Sequence, residues 1–233
     1  MNNRIIEAVI LSIGLMVLGL AIRSGIATFK EKDRVVSVKG LAELEIPADK
    51  VTWLLMFKDI GDDLNLLHTH INTKNKAIIE FLKSKHVTEQ EITVNAPEII
   101  DLQAERYRPD HISYRYNITS VITVTSEDVD KIRAIVAEQN ELLKQGIAIT
   151  GGDYRYNISY DFTQLNDIKP QMIEEATKNA RTAAQKFAID SNSKLGKIKR
   201  AYQGQFSIND RDANTPYIKT IRVVTTIDYY LED

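Results

Sequence analysis

The residues able to do chemistry in this chain are scattered, and their spacing limits what they can do. His68 and His70 stand two apart. On a helix that step turns the rings to different faces, whereas a shared metal is held by an i, i+4 pair. They read as solvated helix residues. Asp59, Asp62 and Asp63 gather just ahead of an apolar-periodic stretch, and Asp210 and Asp212 lie in a polar run. Capping and solvation account for all five; a hydrolytic carboxylate pair would have to be assembled from distant segments. No serine occupies a G-x-S-x-G elbow. The chain has no cysteine, which excludes disulfides, zinc–thiolate sites and thiol nucleophiles. The expectation is a non-catalytic protein with no catalytic residues, no cofactor and no metal; the alternatives are a small-ligand binding module and an unrecognised hydrolase with scattered carboxylates.

One motif repeats. Tyr114-Arg115-Tyr116-Asn117-Ile118 returns as Tyr154-Arg155-Tyr156-Asn157-Ile158. The copies flank a helical stretch, so their strands could be neighbours in one sheet, with tyrosines pairing on one face and arginines on the other. The functional alternative is a recognition surface, since tyrosine and arginine are enriched at interfaces. Tyr114, Arg115, Tyr116, Tyr154, Arg155 and Tyr156 are therefore the candidate interaction surface, for a protein partner or a small ligand of unknown identity.

These residues need elements to position them. The longest candidate is the stretch Lys169 to Leu195, which reads as one helix. Pro170 suits its first turn. Glu174 and Glu175 near one end, and Lys186 and Lys194 near the other, match the helix dipole. Met172 or Ile173, Ala176, Ala180, Ala183 or Ala184, and Phe187 recur at helical spacing and share a face. That face is mostly alanine, so the helix can lie close to a sheet.

The flanking stretches supply strands. Arg34 to Ile46 alternates as a half-buried strand, with Val36, Val38, Gly40, Ala42, Leu44 and Ile46 on one side. Val51 to Lys58 is apolar on both faces, with Trp53 as a core anchor. Asp62 or Asp63 caps a helix whose buried stripe is Leu64, Leu67, Ile71, Ile78 and Leu82. Glu91 to Ile100 is a strand marked by Pro97 as an edge or bulge. Ile112 to Thr125 is a long strand. Ser126 opens a second helix, with Val129, Ile132, Val136 and Leu143 inward and Gly146 ending it. Ile147 to Thr150 and Asp153 to Phe162 read as strand. Lys197 to Phe206 and Tyr217 to Leu231 complete the set, joined by a polar loop. The order ββ-α-ββ-α-β-α-ββ indicates α+β: a mostly antiparallel sheet with three packed helices. A dinucleotide fold, with strict βαβ alternation and a glycine-rich phosphate loop, does not fit.

Ile5 to Ile22 is apolar and would form a helix of roughly 27 Å, close to a bilayer's hydrocarbon thickness. It reads either as an uncleaved transmembrane anchor or as a signal segment cut after Ala27; the anchor is preferred, because Arg23 directly follows the apolar run. The organisation is an anchor or signal segment over 1–23, a linker over 24–33 and an α+β domain over 34–233. Arg23, Lys30, Lys32 and Arg34 flank the far side of the helix, and charge alone would hold that side in the cytoplasm. A net charge of −2 with both signs interspersed argues against nucleic acid.

The chain resembles the SIMPL-domain family, also called DUF541, of exported bacterial proteins. Val35 to Trp53 is similar to the family's V-x-V-x-G…P-D opening, with Gly40 and Pro47 in place and Asp49 two residues after the proline rather than next to it. Ala176, Ala180, Arg181, Ala184, Ala188, Leu195 and Gly196 match its A-x3-A-[KR]-x2-A-x3-A helix followed by L-G. Where the family often has a glycine before that leucine, this chain has Ser191 to Ser193. Ile118 to Val136 resembles the segment V-x-V-x-D-x-D-x-V. The likeness covers Arg34 to Asp233. It implies an exported or envelope-associated protein, with the domain in the periplasm and the helix in the inner membrane. It also implies self-assembly, since some members form oligomeric rings, an unassigned activity, and links to stress tolerance.

Overall fold

The computed structural model describes residues 2–31, 34–104, 113–150 and 157–232. In chain order the elements are α1 (Asn2–Glu31), β1 (Val35–Pro47), β2 (Lys50–Gly61), α2 (Leu64–Ser84), β3 (Ile92–Val94), β4 (Glu98–Asp101), β5 (Tyr116–Ser126), α3 (Val129–Ala137), α4 (Asn140–Leu143), β6 (Ser159–Asp161), α5 (Leu165–Asp190), β7 (Lys194–Gln203), β8 (Ser207–Asp210) and β9 (Ile218–Glu232). The protein is α+β with antiparallel pairing, as expected, and the strands are shared between two sheets. One has the order β1-β9-β7 with β8 also on β9; the other has the order β3-β5-β2-β6 with β4 also on β5.

The chain divides into two compact units. The first comprises Met1–Leu44, Asn166–Ile208 and Ile221–Asp233; the second comprises Glu45–Leu165 and Asn209–Thr220.

In the first unit the alanine stripe is real. Met172, Ala176, Ala180, Ala184 and Ala188 are all buried, one every four residues. Such a row is inclined to the helix axis, so the contact line runs obliquely along α5. Phe187, expected on this face, is exposed, because after Ala184 the row continues through Ala188. The stripe rests on backbone. A Cβ at Gly40 of β1 would overlap the Ala176 carbonyl oxygen and the Ala180 nitrogen, and would lie 2.8 Å from the Ala180 Cβ. Asn179 Nδ2 donates to the Leu41 carbonyl 2.8 Å away. The buried cluster is small: Val38, Ala180, Ala184, Ile227 and Tyr229.

α5 begins four residues earlier than the sequence indicates, so Pro170 lies inside it rather than at its start. The other end stops at Asp190, and Leu195 belongs to β7. Asn192 at φ 52° turns the chain, and the Ser193 N–H donates to the Ala188 carbonyl over 2.8 Å. This left-handed closure is one that asparagine tolerates. Arg34 Nη2 donates to Ser193 Oγ at 2.9 Å, placing a cation at the negative end of the helix.

The second unit has a core of large side chains. Trp53, Leu55, Phe57, Ile78, Leu82, Ile122 and Ile132 are buried together. β2 pairs with β5 over eleven residues, from Val51 opposite Ser126 to Gly61 opposite Tyr116. Asp63 caps α2, accepting from the N–H groups of Asn65 and Leu66 at 2.8 and 3.1 Å. The α2 stripe holds except at its first member: Leu64 is exposed, while Phe81 and Asn75 join the buried set. Asp128, not Ser126, caps α3. Leu143 faces outward and its neighbour Leu142 takes the core position. The expected strand over 147–150 is irregular chain, tied by the Thr150 N–H to the Met56 carbonyl.

Two carboxylates brace this unit. Asp49 accepts from the N–H groups of Thr163 and Gln164 at 2.8–3.0 Å. Glu91 accepts from the Thr88 N–H at 2.8 Å, from Lys131 at 3.3 Å and from the Ser126 hydroxyl. Burial pushes the Glu91 carboxyl upward, but the hydrogen bonds from Ser126, Thr88 and Lys131 outweigh it and hold the group at about 2.

The N-terminal helix α1 contains one span, Ile6–Gly25, long and apolar enough to cross a membrane. Its residues are exposed along that whole length. An export signal meets the same criterion.

Candidate interaction surface

The first copy of the repeated motif lies at one end of the second unit's sheet. Tyr116 opens β5, opposite Gly61 of β2 and Asp101 of β4. Arg115 precedes the strand. Its N–H donates to Asp62 Oδ1 at 2.9 Å, and its Nε and Nη2 fork onto the Asp101 carboxylate at 3.2 and 2.9 Å. The guanidinium carbon lies 4.9 Å from the centre of the Tyr116 ring. The Asp101 carboxyl is held below its ordinary range by the Arg115 hydrogen bond, and the guanidinium is pushed further up by the same contact. Arg115 is thus a strut joining β4, β5 and the start of α2. Tyr114 beside it is exposed.

Tyr154, Arg155 and Tyr156 lie outside the described residues. The strands on either side of the helical stretch are not neighbours, however. β6 pairs with β2 at Lys50–Thr52, and β2 separates it from β5. Ser159, just after the second copy, lies opposite Thr52, whereas Thr119, just after the first, lies opposite Lys58, six residues along β2, roughly 20 Å at strand rise. Hydrophobic alternation carries no information on which strand sits between two others, so a five-residue echo suggested an adjacency that the topology does not have.

Next to Arg115 the sequence concealed a feature. A cleft of about 350 Å³ opens between the first half of α2 and β4, lined by Leu64, His68, Ile71, Pro97, Ile99 and Ile118. Ile99 sits directly opposite the buried Ile118, so both side chains face the same way, yet Ile99 is 50% exposed and Leu64 is 41% exposed. β3 and β4 pair only with β5, so among the described residues no strand covers their outer edge. Pro97 splits the expected Glu91–Ile100 strand into these two short pieces. The available signal was Pro97 beside Ile99-Ile100, an apolar pair on a strand already marked as an edge.

A second concavity, of about 470 Å³, is lined by Trp53, Val136, Gln139, Thr150, Asn157 and Tyr160, among others. The Tyr160 ring meets Tyr217 edge-on at 6.1 Å, and the Arg133 guanidinium carbon lies 3.4 Å from the Tyr217 ring centre. Burial pushes the Tyr160 hydroxyl's pKa up. His68 contacts Asn72, and His70 Nδ1 is 3.8 Å from Asp59. Among the described residues no three of His, Asp and Glu come together as a metal-binding group.

The fold and this surface define a class: an antiparallel α+β protein behind an apolar N-terminal helix, with an apolar cleft at an open strand edge. The chain matches the SIMPL family model, described as a protein of unknown function (DUF541), over residues 36–226, and it belongs to that family. A curated relative, the interleukin-1 receptor-associated kinase 1-binding protein 1 homolog of Oncorhynchus mykiss, is 23% identical over 163 residues. That match covers 70% of this chain and 62% of the relative.

Proposed function

We propose that this chain is a membrane-anchored, non-catalytic protein of the cell envelope. Its domain lies on the periplasmic side, and it works by self-assembly or by binding a protein partner, with a role in envelope stress tolerance. The observation that carries the reading is the apolar cleft beside the open β4 edge. An extended segment can add its backbone to such an edge and seat alternate side chains in the adjoining pocket. The apolar span of α1 and the relative's name as a binding protein support it further. Light scattering of the intact chain in detergent tests it. The expected result is a particle larger than one chain, or a stable partner complex, that Ile99→Asp dissociates. A monodisperse monomer that captures no partner overturns the reading.

A second reading rests on the larger concavity: a small-ligand module built on the tyrosine-bearing β6. Its volume falls in the range of ligand sites. A thermal shift with cell-envelope fragments, lost in Tyr160→Ala, is the expected outcome; no shift with any fragment removes it.

A further inference from the structure

The last turn of α5 carries two large apolar side chains that are uncovered among the described residues. Phe187 is 60% exposed and Ile189 is 72% exposed, as open as the side chains of the membrane-length span of α1. Helical geometry sets their directions. Each residue turns the helix by about 100°, so Phe187 and Ile189 flank the exposed side opposite Ala188, with Lys186 and Asp190 between them. Two apolar groups either side of a polar pair suit a headgroup boundary, where the apolar groups sink in and the long lysine side chain reaches phosphate.

The position of this turn adds a second, independent argument. Arg34 binds Ser193 Oγ, and Ser193 closes the last turn of α5 by its bond to Ala188. Arg34 is only nine residues beyond Gly25, the end of the membrane-length span. Nine residues reach at most about 32 Å when fully extended, and the stretch through Glu31 is helical and therefore shorter. A span seated in a bilayer would keep the end of α5 within reach of the lipid surface. Tethering at that range raises the effective concentration of lipid at the turn, so a shallow contact needs little affinity of its own.

We infer that the C-terminal turn of α5 docks on the bilayer surface through Phe187 and Ile189, holding the first unit against the membrane. The inference rests on the anchor reading of α1.

The chain has no cysteine, so an introduced one carries a probe alone. Ile189→Cys, Lys178→Cys and Leu15→Cys are each labelled with an environment-sensitive fluorophore. The intact chain is then placed in phosphatidylcholine–phosphatidylglycerol vesicles holding spin-labelled acyl chains. Lys178 is exposed on the same helix, eleven residues earlier, roughly 16 Å along the axis. The expected result is strong quenching at 15, quenching of about half at 189, and under a tenth at 178. Quenching at 15 without quenching at 189 overturns the docking and leaves the anchor standing. No quenching at 15 overturns the anchor, and the docking falls with it. A probe at 189 that is shielded from water yet unquenched by lipid means that a second copy covers the turn, which also overturns the docking.

Discussion

Helices α5 and α2 meet the same requirement with opposite side chains. α5 lays Ala176, Ala180, Ala184 and Ala188 against strand backbone at Gly40. α2 drives Leu67, Ile71, Ile78 and Leu82 into a core that also holds Trp53, Phe57 and Ile122. The first contact works because little stands between two backbones. The second works because large volumes interlock. One is vulnerable to an added methyl group and the other to a lost one. Substitutions in the two directions can break the contrast or refine it.

The largest effect is expected at Gly40. Gly40→Val places branched carbons where the Ala176 carbonyl and the Ala180 nitrogen already are. A loss of more than about 4 kcal/mol is expected, read as a collapsed thermal transition by circular dichroism of the intact chain. A melting temperature within a few degrees of the parent refutes the close approach. Removing volume should give the reverse ranking. Ile78→Ala, at a fully buried site of α2, is expected to cost about 3 kcal/mol, whereas Ala180→Gly costs about 1 kcal/mol, mainly in helix propensity. Equal losses in urea denaturation would dissolve the distinction.

Glu91 refines the picture for the large-residue unit. Its folded pKa, about 2, lies below the ordinary 4.5. The unfolded chain therefore takes up the proton first as pH falls, and the stabilisation present above pH 4.5 drains away down to about pH 2. Glu91→Gln is expected to cost about 2 kcal/mol at neutral pH, and to flatten the stability profile within that acid window. A profile as steep as the parent's would show that other carboxylates carry it. A change as small as that at Ala180 is Asp63→Ala, which removes the α2 cap for about 1 kcal/mol, measured as a shift in the denaturation midpoint.

Local pattern made much of this fold legible. The four-residue spacing of alanines marks the buried face of α5, and alternation marks Val38, Gly40 and Ala42 on β1. An aspartate before an apolar stripe marks the start of α2. Errors concentrated where a stripe ends. Leu64, Leu143 and Phe187 continue a helical pattern in sequence, but Leu64 lies in the exposed first turn of α2, and at the other two the neighbours Leu142 and Ala188 take the buried positions. The candidate surface was only half visible. Arg115 was identifiable as a residue of interest, but its fork onto Asp101 depends on strand pairing across a loop. The cleft at Ile99 depends on α2 leaving β4 uncovered, which no single segment encodes.

β9 has a further consequence. It lies between β1 and β7 in the first unit's sheet, yet it is synthesised after both of them. Until the ribosome has released residues 221–232, β1 and β7 have no strand to join them, and α5 waits over an incomplete floor. Contacts so distant along the chain form late. Nascent chains should therefore linger with β1 and β7 unpaired, open to holding chaperones or to strand exchange with a sister chain, until β9 has emerged from the ribosome.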